Sequence, residues 1–267
     1  KKAHGCSSIR ATTLALSLSD YVITEAGFGA DLGAEKFLNI VCSTANIKPD
    51  TIVFVVTIRA IKHHGEGNLL LGLKNIEAHL DHLILYKTKI VVAINRFPLD
   101  DPKEIKTVEK FCKEKGILVS SSESYLEGGK GALTLANIIR KTCKEKNDFQ
   151  PLVNNKMTIQ EKLSKLATCV YHAKEIKYSL EALEKLKYIE ELGFSYLPIC
   201  VAKTQYSISD DAKKLGNPSD YSLYVRDLKI NGGASFITVL LGNIMTMPGL
   251  PKNPNYEKID FINGKIT

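Results

Sequence analysis

Two continuous apolar runs constrain the fold of this chain more than any other feature. They are Thr51 to Ile58 and Ile90 to Ile94, and neither alternates polar with apolar side chains. Such runs are typical of strands that are buried on both faces of a parallel sheet. Between them, residues 69 to 85 carry apolar side chains at helical spacing. A strand, a helix and a second strand in this order predict a βαβ unit, and therefore an α/β fold with a doubly wound parallel sheet.

The same alternation extends along the first half of the chain. A helix over residues 8 to 19 and a strand at Tyr21 to Thr24 precede the first apolar run. After the second run we expect a helix at about residues 103 to 115, a strand at 117 to 120, a glycine turn at 128 to 131 and a helix to about residue 144. We expect Tyr21 to Thr24, Thr51 to Ile58 and Ile90 to Ile94 to be neighbouring parallel strands.

The second half of the chain has a different character. The polar, asparagine-rich stretch Glu145 to Lys156 is the best candidate for a boundary. Two amphipathic helices, at about 159 to 171 and 179 to 191, follow it, and we expect their lysines to form solvated faces. Strand candidates at 198 to 202, 222 to 230 and 235 to 241 are separated by turn residues. We therefore expect three parts: an α/β unit over residues 1–88, an α/β segment over 89–150 and a smaller α+β domain over 151–267.

Composition and charge exclude several classes of protein. At 267 residues, 44% of them hydrophobic, the chain can bury a substantial core. Its longest apolar runs are far shorter than the roughly 18 to 20 residues of a membrane-spanning helix. The first ten residues have no apolar centre of the kind that a secretory signal has. We therefore expect a cytoplasmic protein with no membrane partner.

The six cysteines lie far apart, so they lack the close pairing of zinc or redox motifs, and we assign no metal site. The formal net charge of +7 is compatible with an anionic ligand. The lysines form no basic stripe with interleaved aromatic residues, so we expect no nucleic-acid partner.

A glycine-rich segment, AGFGADLGAEKF at Ala26 to Phe37, lies between a predicted strand and a helix. Glycines in this position can bring backbone N–H groups close to an anion, but many such turns bind nothing. Within it, Asp31 is either a ligand-binding residue or a helix N-cap. The phosphate-loop pattern GxxxxGK[ST] does not occur in the sequence.

Several longer segments resemble one enzyme family. The most distinctive is DYVITEAGFGADLGAEKF at Asp20 to Phe37. The others, in order, are AHGC (3–6), TIRAIKHHG (57–65), VVAINRF (91–97), EGGKGA (127–132), LPICVAKTQYSISDD (197–211) and IMTMPGLPKNP (244–254). These segments resemble the formate–tetrahydrofolate ligases in order and in content, nearly from end to end of the chain.

The resemblance implies an activity and a set of ligands. In this family ATP phosphorylates formate, and the folate amine then attacks formyl phosphate to give formyltetrahydrofolate. The implied substrates are formate, tetrahydrofolate and ATP with Mg²⁺, and the implied fold is that of P-loop NTPases. The enzyme's work is then mainly positioning and charge stabilisation.

The resemblance also implies site residues. Phe97 and Tyr125 follow predicted strands at their carboxyl ends and would hold a pterin or adenine ring between them, although the family usually has tryptophan in place of Tyr125. Asn95 would contact the nucleotide base. The alternative for the two aromatic rings is that they anchor loops. The alternative for Asn95 is that its side chain caps a turn.

For the reacting groups, the resemblance implies His4 near the reaction centre and Arg59 and His64 close to an anion. Lys62 and His63 belong to the same basic cluster after the first apolar run. Asp31 and Glu35 would orient folate or hold a cation.

The sequence also departs from the family. It has no counterpart of the glycine-rich loop and lysine that hold the ATP phosphates. The connection from His64 to Leu70 is short, and YHA at 171–173 replaces YGA. We therefore expect the chain to be a fragment, a split-gene product whose partner supplies the P-loop portion, or a degenerate paralogue. A non-catalytic folate- or nucleotide-binding subunit is the alternative function, and homo-oligomerisation the alternative association. A nucleotide switch of the G-protein kind would also need the missing loop.

Overall fold

The computed structural model describes residues 6–244, residue 257, residues 261–262 and residues 265–266. It is a mixed α/β fold with a three-stranded parallel sheet, a four-stranded mixed sheet and a two-stranded antiparallel hairpin. The helices are α1 (Ile9–Leu18), α2 (Cys42–Ala45), α3 (Ile58–His64), α4 (Leu69–Ile84), α5 (Pro102–Glu114), α6 (Ser124–Glu127), α7 (Leu133–Thr142), α8 (Ile159–Cys169) and α9 (Leu180–Glu191). The strands are β1 (Thr51–Val56), β2 (Lys89–Asn95), β3 (Leu118–Ser122), β4 (Glu175–Tyr178), β5 (Ile199–Ala202), β6 (Ser222–Asn231), β7 (Phe236–Leu241), β8 (Phe261–Ile262) and β9 (Lys265–Ile266). The predicted α/β class is confirmed.

The first sheet has the order β1-β2-β3, with every pair parallel. The central strand β2 is buried from Ile90 to Ile94, as its continuous apolar run predicts. Helix α4 connects β1 to β2 and packs against β2, so the predicted βαβ unit is confirmed.

Strand β1 differs from its prediction in two respects. It ends at Val56, because Thr57 caps α3 by accepting a hydrogen bond at its side-chain oxygen from the Ala60 N–H (3.0 Å), and Ile58 is therefore helical. It is also not buried on both faces, since Val55 is 59% exposed. The reason is its position: β1 is an edge strand, and its second edge has no partner among the described residues.

The prediction of a strand at Tyr21 to Thr24 is wrong. This segment has no regular secondary structure, and the nearest pairing is a single antiparallel bridge between Cys6 and Ala26. Tyr21 and Ile23 are exposed. Apolar side chains favour a strand only where a neighbouring strand can take up the backbone hydrogen bonds.

The glycine-rich segment forms a compact helical turn. Two π-helical turns, Ala30–Ala34 and Phe37–Val41, lead into α2. Gly33 is required, because a Cβ atom there would lie 2.2 Å from the Gly27 carbonyl oxygen. The N-cap residue of the first turn is Gly29, so the interpretation of Asp31 as an N-cap is wrong.

The second sheet has the order β4-β6-β7-β5, in which only β6 and β7 are antiparallel. Strand β4 was not predicted from the sequence.

The Nζ atom of Lys162 on α8 donates to the carbonyl oxygens of Ser195 (2.7 Å) and Leu197 (2.9 Å), and burial lowers the pKa of Lys162 to about 8. The prediction that the α8 lysines are all solvated is therefore wrong for Lys162, which is buried.

The stretch 145–156 packs against the first half of the chain. The Leu152 N–H donates to the Asn39 side-chain oxygen (2.8 Å), and the Gln150 N–H donates to the Tyr86 carbonyl oxygen (3.1 Å). Phe149 is buried and stacks on Tyr86 with ring centroids 6.4 Å apart. One cluster of buried apolar side chains extends through both large sheets. Among the described residues, no helix is long and apolar enough to cross a membrane.

His172 has a left-handed backbone conformation, with φ of 55°. Non-glycine residues reach this region at a cost of about 1 to 2 kcal/mol. We expect His172→Gly to raise the free energy of unfolding by about 0.5 to 1 kcal/mol, since the relief of strain exceeds the entropy that glycine loses on folding. His172→Ala is the matched control, because it removes the same contact to Asn217 (3.1 Å) and keeps the strain. Urea unfolding measures both variants, and equal destabilisation by the two would contradict the explanation.

Candidate functional site

The carboxyl ends of β2 and β3 bring two aromatic rings together. Phe97 and Tyr125 have ring centroids 5.3 Å apart and an interplanar angle of 50°. The Phe97 N–H donates to the Asp100 carboxylate (2.8 Å), which fixes the start of this loop. Because the rings contact each other, an incoming flat ring has to displace one of them. Tyr125 is the more exposed of the two rings.

The loops around this pair are tied to each other. The Arg96 N–H donates to the Ser122 carbonyl oxygen (3.0 Å), and the Arg96 side chain pairs with Glu123. The Glu123 N–H in turn donates to the carbonyl oxygen of Gly131 in the glycine turn (3.0 Å). These contacts join the loops that follow β2 and β3 to the glycine turn. Asn95 is the last residue of β2, and its side chain forms no hydrogen bond with the described residues. The alternative that Asn95 caps the turn therefore has no support from the hydrogen bonds.

A second group of polar residues is buried where the glycine-rich segment meets the end of β5. The Lys203 Nζ lies 2.6 Å from the Asp31 Oδ2, and both residues are nearly inaccessible. Lys203 also donates to the carbonyl oxygens of Thr204 (3.1 Å) and Ser207. The His79 Nδ1 lies 4.0 Å from the Asp31 Oδ1.

These contacts set the charges in the buried group. Burial raises the pKa of Asp31, but the nearby Lys203 and His79 outweigh burial and hold that pKa below its ordinary value. Burial lowers the pKa of Lys203, while Asp31 opposes this change. Burial also lowers the pKa of His79. Asp31 and Lys203 therefore form a buried ion pair beside a neutral imidazole.

Glu35 belongs to the same helical turn and is fully buried. One of its carboxylate oxygens lies 3.1 Å from the Lys36 Nζ, and the other accepts from the Asn39 side-chain amide (3.0 Å). The same amide contacts the Tyr86 hydroxyl (2.9 Å). The two carboxylates expected to contact folate or a cation are thus both buried and paired within the protein.

The basic cluster after β1 is dispersed along α3. Arg59 is exposed, and Lys62 forms an ion pair with Glu104 (2.8 Å). His64 turns inward, toward His79 and Asp31, and its Nδ1 accepts from the Gly216 N–H (3.4 Å). His4 lies outside the described residues.

The structure therefore separates the predicted site residues into two groups. Asp31, Glu35 and His64 line the buried polar group, whereas Asn95, Phe97 and Tyr125 lie at the edge of the first sheet. No hydrogen bond or ion pair joins the two groups within the described part of the chain. Arg59 belongs to neither group.

Three further polar residues were missed by sequence reasoning: Lys203, His79 and His82. Lys203 directly follows a continuous apolar strand, which was the available signal for a buried cation. The histidines lie on α4 three positions apart, on the face that packs inward. The Asp210 carboxylate accepts a hydrogen bond from the Tyr224 N–H (3.0 Å), which ties its loop to β6.

Among the described residues, no group of three or more His, Cys, Asp or Glu side chains is placed to hold a metal ion.

Comparison with known protein families identifies the chain. It matches the protein-family model described as formate–tetrahydrofolate ligase over residues 1–267, the whole chain. The segment resemblances seen in the sequence are thereby confirmed. This chain belongs to the formate–tetrahydrofolate ligase family, a family of enzymes that join formate to tetrahydrofolate.

Proposed function

We propose that this chain supplies the ring-binding part of an ATP-dependent formate–tetrahydrofolate ligase that acts through formyl phosphate, in the cytoplasm. The observation that carries the proposal is the pair Phe97 and Tyr125 at the carboxyl ends of parallel strands, where α/β folds bind their ligands. Asn95, next to Phe97, is the proposed contact to the nucleotide base. Magnesium would arrive bound to the ATP phosphates, which is how phosphoryl-transfer sites usually bind it.

We propose roles in the same reaction for the other site residues and for the three parts of the chain. His4, Arg59 and His64 would contact the reacting anions. Asp31 and Glu35 would orient folate or hold a cation. Residues 1–88 would form the remainder of a P-loop NTPase-like nucleotide-binding domain, 89–150 the ring-binding segment, and 151–267 the C-terminal domain. We propose that the phosphate-binding loop comes from a separate portion of the enzyme.

Strand β1 supports an association with such a portion. Its outer edge has no strand partner among the described residues. The Val53 and Val55 side chains are exposed on one face of the strand. An apolar parallel strand with an open edge favours addition of a further strand. A homo-oligomer formed through the same edge is the alternative association.

The test is formation of formyltetrahydrofolate from formate, ATP and tetrahydrofolate. We expect no turnover by the chain alone, because removing the groups that hold transferring phosphate lowers rates by several powers of ten. Adding a separately expressed P-loop portion should restore turnover. Turnover by the chain alone would overturn the proposal that a separate portion supplies the phosphate-binding loop. Absence of both turnover and ligand binding in the mixture would overturn the proposed function.

A second candidate function is a non-catalytic folate- or nucleotide-binding subunit. The observation in its favour is that Asp31 and Glu35 already have cationic partners inside the protein. Ligand binding that persists while the supplemented mixture makes no product would select this candidate.

Replacing Phe97 with alanine should weaken ligand binding by about 1 kcal/mol or more, roughly fivefold or more in Kd, because an aromatic pair and its buried area are lost. Calorimetric titration with tetrahydrofolate and with ATP measures the change. The matched control is Tyr188→Ala, which removes an exposed ring on α9. Equal affinities of the Phe97 variant and the unmodified chain for both ligands would contradict a stacking role.

A further inference from the structure

The ring of His64 is held by a residue far along the chain. The Gly216 N–H donates to its Nδ1 atom (3.4 Å). The carbonyl oxygen of Gly216 accepts from the Asn75 side-chain amide (2.8 Å), in a buried contact. Both hydrogen-bonding groups of Gly216 are therefore engaged, one by a helix α3 residue and one by a helix α4 residue.

Gly216 cannot easily be another residue type. Its φ of +71° lies in the left-handed region, and a Cβ atom would lie 3.3 Å from the His64 carbonyl oxygen. This backbone conformation turns the N–H of Gly216 toward the imidazole. The loop thus presents a fixed donor to Nδ1.

A fixed donor determines the tautomer of the ring. A nitrogen that accepts a hydrogen bond carries no proton, so a neutral His64 has its proton on Nε2. Burial, with contributions from the neighbouring His63 and His79, lowers the pKa of His64 to about 4, although Asp31 opposes this change. The ring is therefore neutral at neutral pH. Its Nε2 atom has no hydrogen-bond partner among the described residues, and the side chain is only partly buried.

We propose that His64 is a neutral hydrogen-bond donor that presents its Nε2–H to an acceptor oxygen of the bound ligand, and that Gly216 and Asn75 are the positioning residues that hold it in this state. The identity of the ligand rests on the proposed function, whereas the tautomer does not. In this tautomer Nε2 has no lone pair to accept a proton, so His64 polarises or orients an oxygen and is not a general base.

The tautomer is tested directly by ¹⁵N NMR of the histidine rings in the full chain, with His64 assigned through His64→Gln. We expect Nδ1 to resonate as an unprotonated nitrogen and Nε2 as a protonated nitrogen from about pH 5 to about pH 8. A charged ring at neutral pH, or the opposite tautomer, would overturn the proposal.

The positioning role is tested with Asn75→Leu, which removes the donor to Gly216 at similar volume. We expect a mixture of His64 tautomers in this variant, and an unchanged ring would refute the role of Asn75. If the variant fails to fold, the spectrum of the unmodified chain still decides the tautomer.

Ligand contact is tested by titrating tetrahydrofolate and ATP into His64→Gln and His64→Leu. Glutamine retains a neutral N–H donor and leucine does not, so we expect His64→Leu to lose severalfold more affinity than His64→Gln. Equal losses would refute the donor role. If neither ligand binds even the unmodified chain, the ring-binding role proposed for this chain fails while the tautomer result stands.

Discussion

Replacing Lys203 with methionine should lower the free energy of unfolding by about 3 to 5 kcal/mol, because the Asp31 carboxylate is left buried without a counter-ion. Asp31 and Lys203 are only 4% and 3% exposed, and their charged atoms lie 2.6 Å apart. The variant also leaves the Ser207 and Thr204 carbonyl oxygens without their lysine donor. Urea unfolding followed by circular dichroism measures the loss.

A double-mutant cycle separates the ion pair from other effects of the substitution. Asp31→Asn alone should destabilise the protein by a similar amount, while the double variant should lose clearly less than the sum of the two. Lys110→Met is the matched control, since Lys110 pairs with Glu114 at an exposed site (3.7 Å) and should change stability by less than about 1 kcal/mol. Strictly additive losses at Asp31 and Lys203 would contradict the buried pair.

The sequence predicts those features that depend on neighbours in the chain. Strand β2 was predicted correctly because its apolar run has no polar interruption and because predicted helices flank it on both sides. The burial of β1 was predicted wrongly, because an apolar run does not reveal whether another segment covers it. Tyr21 to Thr24 has the composition of a strand, yet no described strand accepts its backbone hydrogen bonds.

The candidate site divides in the same way. Phe97 and Tyr125 could be placed together from sequence, because the ends of adjacent parallel strands meet at one edge of a sheet. The pairing of Asp31 with Lys203 could not be predicted from the sequence, since the two residues lie on separate elements that only tertiary packing brings together. Nor could the tautomer of His64, which depends on the backbone conformation of Gly216.

The buried histidines of α4 predict a marked loss of stability in mild acid. His82 is fully buried, and neither ring nitrogen makes a well-directed hydrogen bond, although backbone groups of Ala30 and Ala78 lie close. Burial, together with the nearby His79, lowers the pKa of His82 to about 3. The unfolded chain protonates at the ordinary histidine pKa of about 6.5.

The sign follows from which state binds the proton. Between the unfolded pKa of about 6.5 and the folded pKa, the unfolded state binds more protons, so stability is complete above about pH 6.5 and falls as the pH falls. For His82 alone, the loss at about pH 5 is on the order of 2 kcal/mol. His79, whose pKa burial also lowers, adds to it in the same direction. The pKa of Asp31 lies below its ordinary value of 3.8, so this carboxylate contributes its own loss only in stronger acid.

Replacing His82 with methionine should therefore flatten the dependence of stability on pH. Methionine fills a similar volume without a titrating group, so we expect the difference in unfolding free energy between about pH 7 and about pH 5 to shrink by on the order of 2 kcal/mol. His63→Gln is the matched control, since it removes an exposed imidazole on α3. Urea unfolding of the three proteins at both pH values measures the slopes. A His82 variant that stays as acid-sensitive as the unmodified chain would show that the proton is taken up elsewhere, and would rule out the buried imidazole as the cause.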